Sequence, residues 1–258
     1  MITPFHDPAQ GPLRCAGFIS GSGTNLTAIL NHQRALEETR EKGSPFKVVV
    51  IFSDRADSQA AAIGKTFDLP VVIRDIRAFY EARGLARRDM SHRALYDAET
   101  VKTLKPFNAS CAVYAGYMSI ASPVLVNAFL GVNVHPADLG IMAGNHRKYV
   151  GDFAVRDALL AGETTLSSTT HLVEPEVDGG RILMISKPMA VHLPAGVDLH
   201  DTQQRRPIVE ENQRRLKEQG DWTVFPLTLQ YLAEGRFGRD EGGNVHFDAD
   251  PIPCGLRL

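Results

Sequence analysis

Val48-Val49-Val50-Ile51 is an unbroken β-branched run, so a strand made from it has no polar face to turn toward water. Such a strand must be covered on both sides, as in a parallel sheet packed between helices. Neighbouring segments agree with that requirement. Leu13 to Ser20, Leu69 to Ile73, Ala109 to Tyr117 and Gly131 to Pro136 are further short apolar runs, with helical spacing between them. The pattern predicts an α/β protein with a doubly wound, mostly parallel sheet, helices on both faces and right-handed crossovers. Later, Thr164 to Val173 and Ile182 to Val191 are joined by a loop short enough for antiparallel pairing, which makes the expected sheet mixed.

Helices are expected after the glycine turn at residues 21–25 and through Ala60-Ala61-Ala62, where Ser53-Asp54 would cap. Others are expected from about Ser91 to Leu104, from Ser122-Pro123, and from Phe153 to Ala161 with Gly162 as the stop. The charge-rich segment from Arg74 to Asp89 shows no element. Asp198 to Gln219 reads as a solvent-exposed polar helix, and Thr223 to Gly235 as a final helix with Pro226 in its first turn. One domain is expected over 13–237, with an extension at 1–12 and an irregular tail at 238–258.

Composition narrows the possibilities. A formal net charge of -2 with no aromatic-interleaved basic patch argues against nucleic acid as a partner. No run approaches the ~18 apolar residues of a membrane span, and Met1 to Pro12 lacks the signature of a signal peptide. A cytoplasmic protein acting on small molecules, as monomer or homodimer, is the expectation. Cys15, Cys111 and Cys254 are far apart and two lie in strand runs, which suits reduced core thiols. The histidines lack zinc-ligand spacing, so no metal is expected.

Two places carry candidate chemistry. In Gly21-Ser22-Gly23-Thr24-Asn25, a strand turns into a helix and leaves backbone N–H groups free, which suits phosphate at Gly23, Thr24 and Asn25; a plain helix cap is the alternative. Leu26 replaces the third glycine of a dinucleotide fingerprint and no lysine follows as in a Walker loop. At the second place, Asn133 and His135 stand two apart and project to one side of a strand end. Asp178 follows on the loop Val173 to Gly180, where turn chemistry is its default role. An amide donor, a titrating imidazole and a carboxylate together suit acyl-type transfer. The stretch Ala137 to Gly151, with His146-Arg147-Lys148, reads equally as a mobile loop over the site or a solvated basic turn.

Taken in order, Ser20-Gly21-Ser22-Gly23-Thr24-Asn25-Leu26, Phe52-Ser53-Asp54, Ala115-Gly116-Tyr117-Met118, Asn133-Val134-His135-Pro136, Thr169-Thr170-His171, Asp178-Gly179-Gly180 and Phe225-Pro226-Leu227 resemble the folate-dependent formyltransferases over roughly residues 13 to 237. The Ser-Gly-x-Gly-x-Asn turn resembles the branch acting on glycinamide ribonucleotide. The resemblance implies formyl transfer from 10-formyltetrahydrofolate to that primary amine. Asn133 and His135 would donate to the oxyanion, while Asp178 would hold the charge of His135 and position a water. It implies a pterin pocket lined by Met118, Ile120 and Val126 and closed by the loop carrying Glu174 and Val177. Thr169 and His171 would lie near the catalytic water. Asp221, counted back from Pro226, falls where the family has a Glu that binds the substrate amine; capping the helix at Trp222 is the alternative.

The family usually continues Ser-Leu-Leu-Pro after His-Pro, whereas this chain has Ala137-Asp138-Leu139-Gly140. Ser119 replaces a frequent arginine, which would leave the folate tail to Arg147 or Lys148. Another small amine acceptor, or a non-catalytic folate- or nucleotide-binding relative, are the competing functions.

Overall fold

The computed structural model describes residues 1–86 and 89–258. Its apolar runs form one eight-stranded sheet from β1 (Leu13–Ile19), β2 (Phe46–Ser53), β3 (Val71–Ile73), β4 (Cys111–Tyr114), β5 (Leu130–His135), β6 (Thr169–Leu172), β7 (Ile182–Ile185) and β8 (Leu256–Arg257), in the order β8-β7-β6-β5-β4-β1-β2-β3. The first five are parallel; β6 runs antiparallel to both β5 and β7. The sheet is therefore mixed and mostly parallel, as expected.

Eight α-helices accompany it among the described residues: α1 (Thr24–Thr39), α2 (Ala60–Phe67), α3 (Ile76–Glu81), α4 (Arg93–Leu104), α5 (Pro123–Ala128), α6 (Ala154–Leu160), α7 (Thr202–Leu216) and α8 (Trp222–Ala233). Strand alternation divides the core in two. Cys15, Ile19, Val48 and Ile51 pack with Leu26 and Ile29 of α1 and Phe225 and Leu229 of α8. Ala16, Phe18, Val50 and Phe52 pack with Phe79 of α3, Tyr96 of α4 and Leu125 of α5. Both faces of the β-branched run are thus buried, which is what its composition demanded. At the end of β1, Gly23 is left-handed at φ 62°, and a Cβ there would come within 2.5 Å of Ile63. Glycine is required where α1 starts.

Several expectations are corrected. Asp54 does not cap α2, which begins later at Ala60; its carboxylate is buried and accepts from the Ser20 and Ser119 hydroxyls instead. The charge-rich segment contains α3, capped by Asp75 through the backbone N–H groups of Arg77 and Ala78. Arg87 and Arg88 of that segment lie outside the described residues. Thr164 to Val173 is split, because Thr165–Leu166 pairs with Met189–Ala190 away from the main sheet.

The tail is not irregular. Phe237–Arg239 pairs with Thr3–Pro4 and with Val245–Phe247, Asp250–Pro251 completes this four-stranded sheet, and β8 extends the main one. Gly243 and Gly255 sit between its strands at positive φ, while Phe237 and Val245 are core residues. The same Gly and Pro content that suggested a loop therefore marks strand ends.

The two last helices are also continuous, since a π turn over Lys217–Asp221 joins α7 to α8. Pro226 consequently lies beyond the first turn of α8, and Asp221 makes no capping bond.

Candidate active site

Strand β5 delivers Asn133 and His135 to the carboxyl edge of the sheet, and antiparallel β6 sets His171 opposite Asn133. The Asn133 amide donates to His171 Nε2 at 3.1 Å, while Nδ1 of the same ring donates to the Leu172 carbonyl at 2.8 Å. His135 Nε2 donates to the Tyr149 carbonyl at 2.8 Å, which leaves Nδ1 facing Asp178.

Asp178 arrives from the β6–β7 loop in the left-handed conformation, φ 52°. One carboxylate oxygen is 3.4 Å from His135 Nδ1 and accepts from the Gly151 N–H at 2.8 Å; the other is 3.6 Å from His171 Nε2. The Asp-Gly-Gly spacing now has a physical reason. A Cβ on Gly180 would lie 1.7 Å from the Leu172 carbonyl, so only glycine lets the returning chain pass β6 that closely. All three polar residues expected here, together with His171, are brought into one cluster.

Burial works against ionising Asp178. The His171 ring edge, the charge of His135 and the Gly151 N–H outweigh it and hold the carboxyl down from 3.8 to about 2. For His135, burial is the larger influence and lowers its pKa, opposed by Asp178 and the Tyr149 carbonyl. We take Asp178 to be the ionised partner at neutral pH; a proton added to the pair goes to His135 Nδ1, between the ring and the carboxylate.

Two strands away, the glycine turn opens a cleft of about 250 Å³ lined by Ser20, Gly23, Thr24, Asp54, Arg55 and Lys217. The N-terminus of α1 contributes free backbone N–H groups. Arg55 is engaged by Asp57 in a paired contact, leaving Lys217 as a cation without an ion pair among the described residues. Lys217 and Asp54 were missed by the sequence reading. A lysine in a charged helix carries no local mark of facing a cleft, and the π turn that orients it depends on packing.

The remaining expected residues divide. Met118, Ile120 and Val177 are exposed apolar side chains, and Met118 borders the cleft. Val126 is half-buried on α5. Glu174 instead pairs with Arg181 near the opposite end of β5, beside Leu130 and Gly131. Thr169 is fully buried and binds the Ala137 carbonyl and the Leu139 N–H, pegging the chain just after His135. Asn25 and Asp221 face each other rather than an open site. The Asn25 amide donates to Asp221 at 2.9 Å, and Ser168 donates to its other oxygen at 2.5 Å. With both oxygens occupied and the residue buried, Asp221 is not offered to a substrate amine. Arg147 and Lys148 are likewise committed, to the carbonyls of Asp178 and Gly180 and to Glu163. The loop 137–151 contains a short hairpin, Met142–Ala143 with His146–Arg147, whose tip is exposed to solvent while Arg147 is half-buried.

Among the described residues no cluster of three or more His, Cys, Asp and Glu is arranged to hold a metal ion, and no helix is long and apolar enough to cross a membrane.

Residues 13–207 match the profile of the formyl transferase family. The phosphoribosylglycinamide formyltransferase of Haemophilus influenzae is 26% identical over 242 residues, covering 93% of this chain and 96% of that protein. The enzyme of the same name from Escherichia coli is 29% identical over 237 residues, covering 91% and 93%. Among solved structures, glycinamide ribonucleotide transformylase 1 from Symbiobacterium toebii matches with a TM-score of 0.65 at 28% identity, covering 92% of this chain and 94% of that one.

Proposed function

Because this chain belongs to the formyl transferase family, we propose that it transfers the formyl group of 10-formyltetrahydrofolate to the primary amine of glycinamide ribonucleotide. The observation that carries this reading is the meeting of Asn133, His171, Asp178 and His135 at the sheet edge that also holds the glycine-turn cleft.

The amine lone pair attacks the formyl carbon, a C–N bond forms and the carbonyl oxygen becomes an oxyanion. The new ammonium then loses a proton, and the folate nitrogen gains one as its bond to carbon breaks. Asn133 spends one N–H on His171 and has a second for the oxyanion; a preorganised donor of this kind contributes on the order of 10²–10³ in rate. In the observed conformation His135 is turned away from that role, toward Tyr149 and Asp178. It serves with Asp178 as the pair that accepts and returns the proton, through water. The backbone N–H groups at Gly23 and Thr24, with Lys217, suit the acceptor's phosphate. Exposed Met118, Ile120 and Val177 suit the pteridine.

The free thiols of Cys15 and Cys111 are register partners across β1 and β4 and suit a reducing compartment. We assign the enzyme to the cytoplasm, as a monomer or homodimer.

The test is tetrahydrofolate release from 10-formyltetrahydrofolate that depends on glycinamide ribonucleotide and collapses in His135→Ala. Release that ignores this amine would overturn the reading.

A further inference from the structure

The hairpin Met142–Arg147 follows Ala137-Asp138-Leu139-Gly140, and its last residue points back into the site. The Arg147 guanidinium donates to the Asp178 carbonyl, and to the Gly180 carbonyl at 2.8 Å. It is half-buried and makes no carboxylate ion pair among the described residues. A guanidinium spent on two backbone carbonyls, in place of a surface carboxylate, fixes a piece of chain.

We propose that Arg147 is a positioning residue, gripping the 178–180 turn so that the left-handed Asp178 keeps its carboxylate between His135 and His171. The left-handed region is uncommon for a residue with a side chain, and the two guanidinium contacts tie the turn in that conformation. The same loop supplies that hold twice more, through the Gly151 N–H to Asp178 and the Tyr149 carbonyl to His135. Tyr149 itself is tied down by its hydroxyl to Glu163 at 2.5 Å. One loop therefore sets both members of the proton-handling pair. The inference deepens the proposed reaction and rests on it only for the activity readout.

The groups facing His135 are Asp178, His171, Arg147 and the Tyr149 carbonyl. Asp178 favours protonated His135, whereas the charge of Arg147 opposes it. Removing Arg147 therefore has opposite signs under two readings. If Arg147 holds Asp178 in place, His135 loses its carboxylate and titrates lower; if Arg147 is only a nearby charge, His135 titrates higher.

The experiment is an NMR titration of His135 in the substrate-free wild type, Arg147→Ala and Arg147→Lys. The expected result is a midpoint lower by about half a pH unit or more in Arg147→Ala, with a smaller fall in Arg147→Lys, whose ammonium reaches the carbonyls less completely. Alongside it, kcat falls about 10- to 100-fold with acceptor KM nearly unchanged, and added guanidinium partly restores it. Should Arg147→Ala not fold, Arg147→Lys carries the test. An unchanged or raised midpoint overturns the proposal. A lowered midpoint in a chain that never turns over glycinamide ribonucleotide overturns the proposed acceptor and leaves Arg147 in its role.

Discussion

Asp178 and Asp221 are two buried carboxylates beside glycine, both exposed by less than a tenth, and their surroundings push them in opposite directions. Asp178 meets two imidazoles and a backbone N–H and is held near 2. For Asp221 burial dominates and raises the pKa; Ser168, Asn25 and, more weakly, the charge of Lys217 only moderate it. Burial alone disfavours a carboxylate's charge, and cationic or titrating partners reverse that. One region therefore keeps its carboxylate charged, while the other ties the π turn to the glycine turn.

The largest expected effect tests the reactive member. Asp178→Asn should lower kcat by about a thousandfold, whereas Asp221→Asn should change it by less than about tenfold; steady-state kinetics on both decide. Equal losses would erase the distinction.

The next separates them by pH. The Asp178 pKa is depressed on folding, so its stabilisation, about 2 kcal/mol, is present above 3.8 and lost as pH falls toward 2. Asp221 has the opposite sign, because a raised carboxyl pKa costs stability at neutral pH, and that cost is relieved on acidification. Urea unfolding of wild type and Asp178→Asn should therefore converge as pH drops from about 4 to 2. For wild type and Asp221→Asn the difference should move the other way.

A third test concerns what Asp221 supports. Asp221→Ala leaves the Ser168 hydroxyl and Asn25 amide without a partner and should destabilise by about 2 kcal/mol, read by chemical denaturation. Asp221→Asn should cost about half that, since Asn25 can turn its buried, unpartnered Oδ1 toward the new amide.

The smallest effect sharpens the boundary between the regions. Lys217→Ala should raise KM for the phosphorylated acceptor by roughly fivefold and leave kcat within twofold, because Lys217 lies at the cleft and not at the proton pair. A fall in kcat instead would link the two regions.

Much of this architecture could be read from residue order. Continuous β-branched runs, the glycine turn and the two-residue offset of Asn133 and His135 are local patterns, because strand and turn geometry act over a few residues. The β-hairpins of the tail were misread, as Gly and Pro mark both loops and strand ends. The third helix was missed because short capped helices carry little periodicity.

Residue types and spacing were enough to establish the mostly parallel sheet, its winding and that Asn133 and His135 would share one strand end. Whether Asp221 would be open or sealed, whether Arg147 would face solvent or the 178–180 turn, and where Lys217 would point depended on contacts between segments distant along the chain. Charge, exposure and hydrogen-bond partners of a side chain are properties of its neighbours, and those neighbours exist only once the chain has packed.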